Sequence, residues 1–272
     1  MQTGRTWKSV LGLALAALVA AGASAPVSAG DDIWQDIRRD VFDNRQVSED
    51  GLVTLDAPYR AEDAAVVPLT MHIPASAGAV KSLTLIIDKN PSPVAATFEF
   101  GEAAGKGDRM LSTRVRIDSY SNVRAIAETA DGTLHMATKF VKASGGCSAA
   151  AAKDADETLA NLGKMQVRTF DSADAKDHTP NMREAQVMIR HPNATGMQMD
   201  QVTRQFTPMR IVSEMDVRRD GARIFKMEGG ISISENPNFR FTYVPGSDNL
   251  IEVTAKDTEG KVFTATSAGK AS

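Results

Sequence analysis

The only cysteine of the chain lies in a setting suited to covalent chemistry. The 272-residue sequence holds one cysteine, Cys147, directly after Gly145 and Gly146 and before a run of small residues. Two glycines leave the backbone nearly unrestricted, so the thiol can swing and enter a narrow space. An exposed free thiol with no such role invites oxidation and disulfide formation. We therefore predict that Cys147 is the working group and that Gly145 and Gly146 give its segment mobility.

The residues after the cysteine predict a helix that would tune the thiol. Ser148 can cap a helix N-terminus, the alanines that follow favour helix, and Gly163 offers a stop. A thiol just before such an N-terminus is biased toward the thiolate by the backbone N–H groups and the helix dipole. We expect a modestly activated thiol that accepts a sulfur-containing group.

Other catalytic or metal-binding arrangements find little support. The four histidines are scattered along the chain: His72, His135, His178 and His191. None has a metal-ligand partner at helical or short-loop spacing, and no nucleophile elbow or phosphate-binding glycine loop is present. Met197 and Met199 have a soft-ligand spacing that could suit Cu(I), although methionine ordinarily fills β-sheet cores. We predict that the protein is not an enzyme and holds no metal or separate cofactor.

The N-terminus predicts export. Arg5 and Lys8 precede an apolar run over residues 10–22, and two small-x-small sites follow, ending at Ala25 and Ala29. The run is too short for a comfortable membrane span, so residues 1–29 are predicted to be a signal peptide and the mature protein periplasmic. Its removal takes the net charge from -3 to -5, because it contains two basic residues and no acidic ones. We therefore expect no nucleic-acid partner and no membrane association after cleavage.

The remaining chain predicts a helix followed by two sets of β-strands. Residues 31–42 have a helical pattern with Trp34, Ile37, Val41 and Phe42 on one face. Short strands with alternating apolar residues and turn signals then indicate antiparallel sandwiches. A Gly-, Ser- and Ala-rich stretch at residues 143–163 interrupts them. The chain is therefore divided into a first sandwich (30–142), a flexible linker carrying Cys147 (143–163) and a second sandwich (164–272).

Motifs in both sets of strands resemble one family. The first set contains Asp88 to Pro93, Arg114 to Arg116, Asn122 to Ala125, Ala130 to Gly132 and the Gly-Gly-Cys of residues 145–147. The second contains His191 to Gly196, Ile231 to Pro237, Phe239, Phe241 and Asp257 to Gly260. In this order they resemble SoxY followed by SoxZ, the subunits of the SoxYZ sulfur carrier, fused in one chain. The fused form is similar to the SoxYZ-like carriers associated with quinoprotein dehydrogenases.

The resemblance implies a fold and a function. It implies two immunoglobulin-like β-sandwich domains and a carrier whose cysteine holds sulfur intermediates of thiosulfate oxidation covalently. Carried over, Cys147 is the attachment site and Gly145 and Gly146 free its arm, with periplasmic sulfur-oxidation or quinoprotein dehydrogenase enzymes as partners. The family's arm ends within a few residues of its cysteine, whereas here Ser148 follows and the chain continues. The alternative is a non-covalent β-sandwich binding or assembly module of a periplasmic quinoprotein dehydrogenase system, in which Cys147 is incidental.

Overall fold

A mostly β architecture with one short N-terminal helix confirms the predicted fold class. The computed structural model describes residues 1, 29–150, 160–170, 181–200 and 203–267. The predicted signal peptide lies almost entirely outside the described residues, as do residues 153–159 of the predicted helix at residues 153–163. None of the helices in the described ranges is long and apolar enough to cross a membrane.

The helix α1 spans Ala29–Phe42 and covers one outer face of a sheet. Trp34, Ile37 and Phe42 are buried and pack with apolar side chains of the sheet, among them Ile86 and Ile126. The predicted helix and most of its apolar face are thus confirmed. Val41, which the pattern placed on the same face, is exposed.

Fifteen strands follow in the described residues. Those of the first half (residues 30–142) are β1 (Val47–Ser48), β2 (Thr54–Asp56), β3 (Val67–Ile73), β4 (Val80–Ile87), β5 (Val94–Phe100), β6 (Arg109–Val115), β7 (Ser121–Thr129) and β8 (Leu134–Val141). Those of the second half (residues 164–272) are β9 (Met165–Phe170), β10 (Arg183–Ile189), β11 (Val212–Arg219), β12 (Ala222–Gly229), β13 (Asn238–Tyr243), β14 (Ile251–Asp257) and β15 (Val262–Thr266).

Both sheets run through both halves of the chain. The nine-stranded sheet has the order β1-β8-β7-β4-β5-β12-β11-β14-β15, and the six-stranded sheet β2-β3-β6-β13-β10-β9. The halves join where β5 pairs antiparallel with β12, with Phe98 opposite Met227, and where β6 pairs with β13, with Leu111 opposite Phe241. The two sandwiches therefore meet edge to edge, and each half covers strand edges that the other would leave unpaired.

A single apolar core fills the space between the sheets. Phe98 of the first half packs edge-on against Phe225 and Phe239 of the second, with ring centroids 5.6 and 5.9 Å apart. These side chains belong to one buried cluster that contains residues of both halves. Burial of an aromatic side chain stabilises the folded state by about 2–3 kcal/mol. The shared core therefore couples the stability of one half to that of the other.

Candidate functional site

Cys147 lies in a buried turn where the first half meets the second. The turn covers residues 146–148, shortly after the end of β8, and the exposed fraction of Cys147 is 0%. The structure thus differs from the exposed segment that the sequence suggested. The reason is that residues from three loops contact the turn: the loop before β3, the loop after β6 and the loop after β10. None of these loops is near the turn in the sequence.

The two glycines meet the steric demands of this turn. Gly145 has a positive φ of 76°, a conformation that glycine adopts without strain. Gly146 donates its N–H to the carbonyl of Ile117 (3.0 Å), and a Cβ at Gly146 would collide with the backbone oxygen of Ala64. In this conformation both glycines therefore serve a fixed backbone geometry. The mobility predicted for them stays a prediction.

The second half holds the turn through polar side chains in the connection between β10 and β11. The Thr195 hydroxyl donates to the carbonyl of Cys147 (2.6 Å), and the Gln198 amide donates to the carbonyl of Ala149 (3.1 Å). Gln198 in turn accepts the backbone N–H of Thr195 (3.1 Å). We call Thr195 and Gln198 the latch. No sequence pattern predicted the role of the latch, although Thr195 is part of the SoxZ-like motif at residues 191–196.

Two charged residues of the first half act on the thiol. Asp118 accepts the backbone N–H of Cys147 (3.3 Å), and Arg116 donates from Nη1 to the carbonyl of Gly146 (3.3 Å). Burial raises the pKa of the Cys147 thiol to about 11; the Asp118 carboxylate also raises it, and the Arg116 guanidinium opposes them. The expectation of an activated thiol is therefore wrong for this conformation. Ser148 lies in the turn, and residues 151–159, which make up most of the predicted helix, lie outside the described residues.

Arg116 is itself buried, with an exposed fraction of 1%. Its Nε and Nη2 groups have no hydrogen-bond partner among the described residues. Its backbone is fixed, because Asn90 donates to its carbonyl (2.7 Å) and its own N–H donates to the carbonyl of Ser232 (2.7 Å). Asn90 also accepts the N–H of Asp118 (2.8 Å), so one side chain positions both charged neighbours of Cys147. Arg116 and Asn90 belong to the SoxY-like motifs, but no sequence pattern predicted this arrangement.

Each histidine that the structure describes lies near a carboxylate in another part of the molecule. His72 lies 3.6 Å from Asp56, and His135 is hydrogen-bonded to Asp50 (2.8 Å). His191 is fully buried, and burial lowers its pKa, which favours the neutral ring. No described histidine is among the charged groups that act on Cys147, and His178 lies outside the described residues.

No group of three or more His, Cys, Asp or Glu residues suited to a metal occurs in the part of the chain that the structure describes. Met215 and Met227 face each other across β11 and β12 and are fully buried, as expected of core residues. Met199 and Met209 are exposed.

A sulfur carrier is among the solved structures to which the chain is similar. The sulfur carrier protein SoxY from Chlorobium limicola f thiosulfatophilum is 23% identical, with a match covering 42% of this chain and 94% of that one at a TM-score of 0.35. A β-glycosidase from Bacteroides vulgatus is 7% identical, with 79% of this chain and 24% of that one covered at a TM-score of 0.22. TM-scores of this size do not establish a shared fold. Among curated proteins, none matches the chain.

Family comparisons divide the chain at the cysteine. The SoxY family (sulfur oxidation protein SoxY) matches residues 38–147, and the SoxZ family (sulphur oxidation protein SoxZ) matches residues 171–268. The SoxY match ends on Cys147. Together the two matches cover more than half of the chain, in the order that the motifs indicated. This protein therefore belongs to the SoxY and SoxZ families of sulfur oxidation proteins and joins the two in one polypeptide.

Proposed function

We propose that this protein is a covalent carrier in sulfur oxidation, with sulfur intermediates held on Cys147 and redox chemistry done by partner enzymes. The observation that carries the proposal is that the SoxY match ends on the only cysteine of the chain, with a SoxZ match following it. A carrier needs one attachment point and no catalytic cluster of its own. The surroundings of Cys147 fit that requirement.

Loading such a carrier is a two-electron oxidation. With thiosulfate, the Cys147 sulfur bonds to the outer sulfur of the anion, and the product is Cys147–S–S–SO3⁻. The thiol proton goes to solvent, and two electrons pass to an acceptor on the partner enzyme. The thiolate is the reacting species, so the state of Cys147 controls this step.

The buried turn is then the resting state of the carrier. A thiol with an exposed fraction of 0% and a pKa near 11 is protonated and shielded at neutral pH. Release of the latch would expose it and return its pKa toward the ordinary value of 9.0. Gly145 and Gly146 would then act as hinges, because they impose the least restriction on the released segment. Opening of the turn would therefore expose the thiol and lower its pKa at the same time.

The export segment and the family support the proposed site of action and the proposed partners. The basic and apolar residues at positions 5–22 support delivery to the periplasm. The partners are redox enzymes of periplasmic sulfur oxidation or of a quinoprotein dehydrogenase system. Because the chain continues past Cys147, an enzyme that receives the thiol must accept a loop of two strands rather than a chain end.

Mass analysis of the native protein tests the carrier function. Protein purified from its own periplasm without reductant should carry added sulfur atoms on Cys147, some with oxygens. Reductant should remove them, and the Cys147→Ser variant should carry none. A bare thiol, or only a Cys147–Cys147 disulfide, after incubation with thiosulfate and the periplasmic extract would contradict the proposal.

The burial of Cys147 favours a second candidate, a non-covalent binding module of a quinoprotein dehydrogenase system. In that case the thiol is a small apolar core group. Cys147→Ser separates the two functions, because a binding module keeps its partner and its activity while a carrier loses activity with the fold intact.

A further inference from the structure

We propose that Arg116 binds the anionic end of the group carried on Cys147, a sulfonate or thiosulfonate. This inference rests on the proposed carrier function, since it assigns a recognition residue to the carried group. It names the chemical class of cargo that the site retains: sulfur oxyanions rather than neutral persulfides or alkyl disulfides.

The first support is the state of the Arg116 side chain. A guanidinium has five N–H donors, and a buried one that lacks partners is costly. Nη1 donates to the carbonyl of Gly146, while Nε and Nη2 have no partner among the described residues. Two donors of a fixed planar fork are therefore left over beside Cys147.

The geometry of the Arg116 guanidinium determines which class of ligand it can bind. Nε and Nη2 lie on one edge of the guanidinium, and such an edge matches two oxygens of an oxyanion in a bidentate arrangement. A sulfonate group has three equivalent oxygens and a delocalised negative charge. The bond from Nη1 to Gly146 fixes the fork next to the residue that carries the cargo.

The neighbouring carboxylates leave these donors open. Asp63 and Glu235 attract the Arg116 charge through space, but neither is a hydrogen-bond partner of Nε or Nη2. Asp118 accepts the Cys147 N–H and disfavours negative charge on the sulfur. Since Asp118 works against an anion, Arg116 is the group that can make an anionic cargo favourable here.

Arg109 shows how the fold otherwise treats a buried guanidinium. Its terminal nitrogens donate to the backbone carbonyls of Gly78, Gly105 and Gly107, so only its Nε lacks a partner. Arg116 has one such bond. Backbone carbonyls thus satisfy both terminal nitrogens of Arg109, whereas Nη2 of Arg116 has no such partner among the described residues.

Two chemically installed adducts test the assignment without a partner enzyme. Tetrathionate converts the Cys147 thiolate to Cys147–S–S–SO3⁻ and releases thiosulfate. Methyl methanethiosulfonate gives the neutral Cys147–S–S–CH3 and releases methanesulfinate. Both reactions are run to completion in mild denaturant, the protein is refolded, and loading is checked by mass. Urea unfolding then measures the stability of each adduct.

In the wild-type protein we expect the charged adduct to have a folded-to-unfolded ratio about ten-fold higher than the neutral one, as befits one charge-assisted contact. Arg116→Met should remove this ten-fold difference, and Arg116→Gln should reduce it to about three-fold or less. Arg114→Met is the control, because Arg114 bonds to Asn236 and does not act on Cys147; it should keep the advantage.

An unchanged advantage in Arg116→Met, or no advantage in the wild type, would overturn the assignment. Should Arg116→Met fail to fold, Arg116→Gln decides in the same way. The outcome is separate from the carrier test, because the adducts are installed chemically. A native protein without adducts would remove the carrier function even if Arg116 binds the installed anion, and adducts with no Arg116 effect would leave the carrier without this recognition residue.

Discussion

Two buried arginines of the first half have opposite surroundings. Arg124, on β7, is 6% exposed; its Nε and Nη2 donate to the Asp88 carboxylate at 2.8 Å each, and its guanidinium lies 4.3 Å from the centre of the Trp34 ring. Arg116, which follows β6, is buried more deeply and has no such carboxylate. Arg124 has a hydrogen-bonded counter-ion within the fold, whereas Asp63 and Glu235 attract Arg116 only through space.

The difference separates a structural role from a binding role. A buried, fully paired guanidinium fixes the elements around it, here β7, the turn after β4 and helix α1. A buried guanidinium with free donors is tolerated only where water or a ligand satisfies it. Near Cys147, two N–H donors of Arg116 therefore remain available to a ligand. The corresponding donors of Arg124 are bonded to Asp88 and stabilise the fold.

Removal of the counter-ion should give the largest effect. Asp88→Ala leaves Arg124 buried and unpaired, so we expect a loss of about 3–5 kcal/mol in the free energy of unfolding. Arg116→Met should change it by only about 1 kcal/mol, because one hydrogen bond is lost and two unpartnered donors are removed. Urea denaturation measures both. Equal losses in the two variants would break the comparison.

The titration of Cys147 should give the second-largest effect, a pH dependence of the free energy of unfolding. Its pKa is raised from 9.0 to about 11 in the folded protein, so the unfolded chain loses the thiol proton first as the pH rises. The stability due to this group is complete below about pH 9 and is lost as the pH passes 11, with a total on the order of 2 kcal/mol.

Urea unfolding between pH 8 and 11 checks this expectation, with Cys147→Ser as the protein that lacks the thiol. The stability of the wild type should fall relative to that of the variant across this window. Parallel profiles for the two proteins would show that the buried thiol has an ordinary pKa and that the turn is open.

The latch should give the smallest effect. Thr195→Val removes the 2.6 Å bond to the Cys147 carbonyl, so local opening should cost about 1 kcal/mol less and labelling of Cys147 by iodoacetamide should be about five-fold faster. Thr195→Ser keeps the hydroxyl and should label at nearly the wild-type rate.

A matched control comes from the Arg124 region. Thr138 donates to Glu49 (2.7 Å) and accepts from Arg124, so Thr138→Val removes similar bonds far along the chain from the latch. It should leave the labelling rate of Cys147 unchanged. Faster labelling in Thr138→Val would mean that the thiol is reached by general loosening of the sandwich rather than by release of the latch.

Local patterns predicted most of the described elements and the families to which the chain belongs. The period of Trp34, Ile37 and Phe42 predicted α1, and alternating apolar residues predicted the strands, because side-chain direction repeats regularly in both structures. The order of the motifs around Cys147 predicted the SoxY and SoxZ families, which the comparisons confirm. These features depend on residues close together in the sequence.

Only the tertiary structure decided how the halves join and what surrounds the cysteine. The pairing of β5 with β12 depends on the register of distant strands, which a local pattern does not specify. The sequence alone suggested an exposed thiol behind two glycines, but Thr195 and Arg116 come from other connections and bury it. The sequence determined that the chain has one thiol to offer; long-range packing decided that the thiol is shielded, protonated and placed beside an unpaired guanidinium.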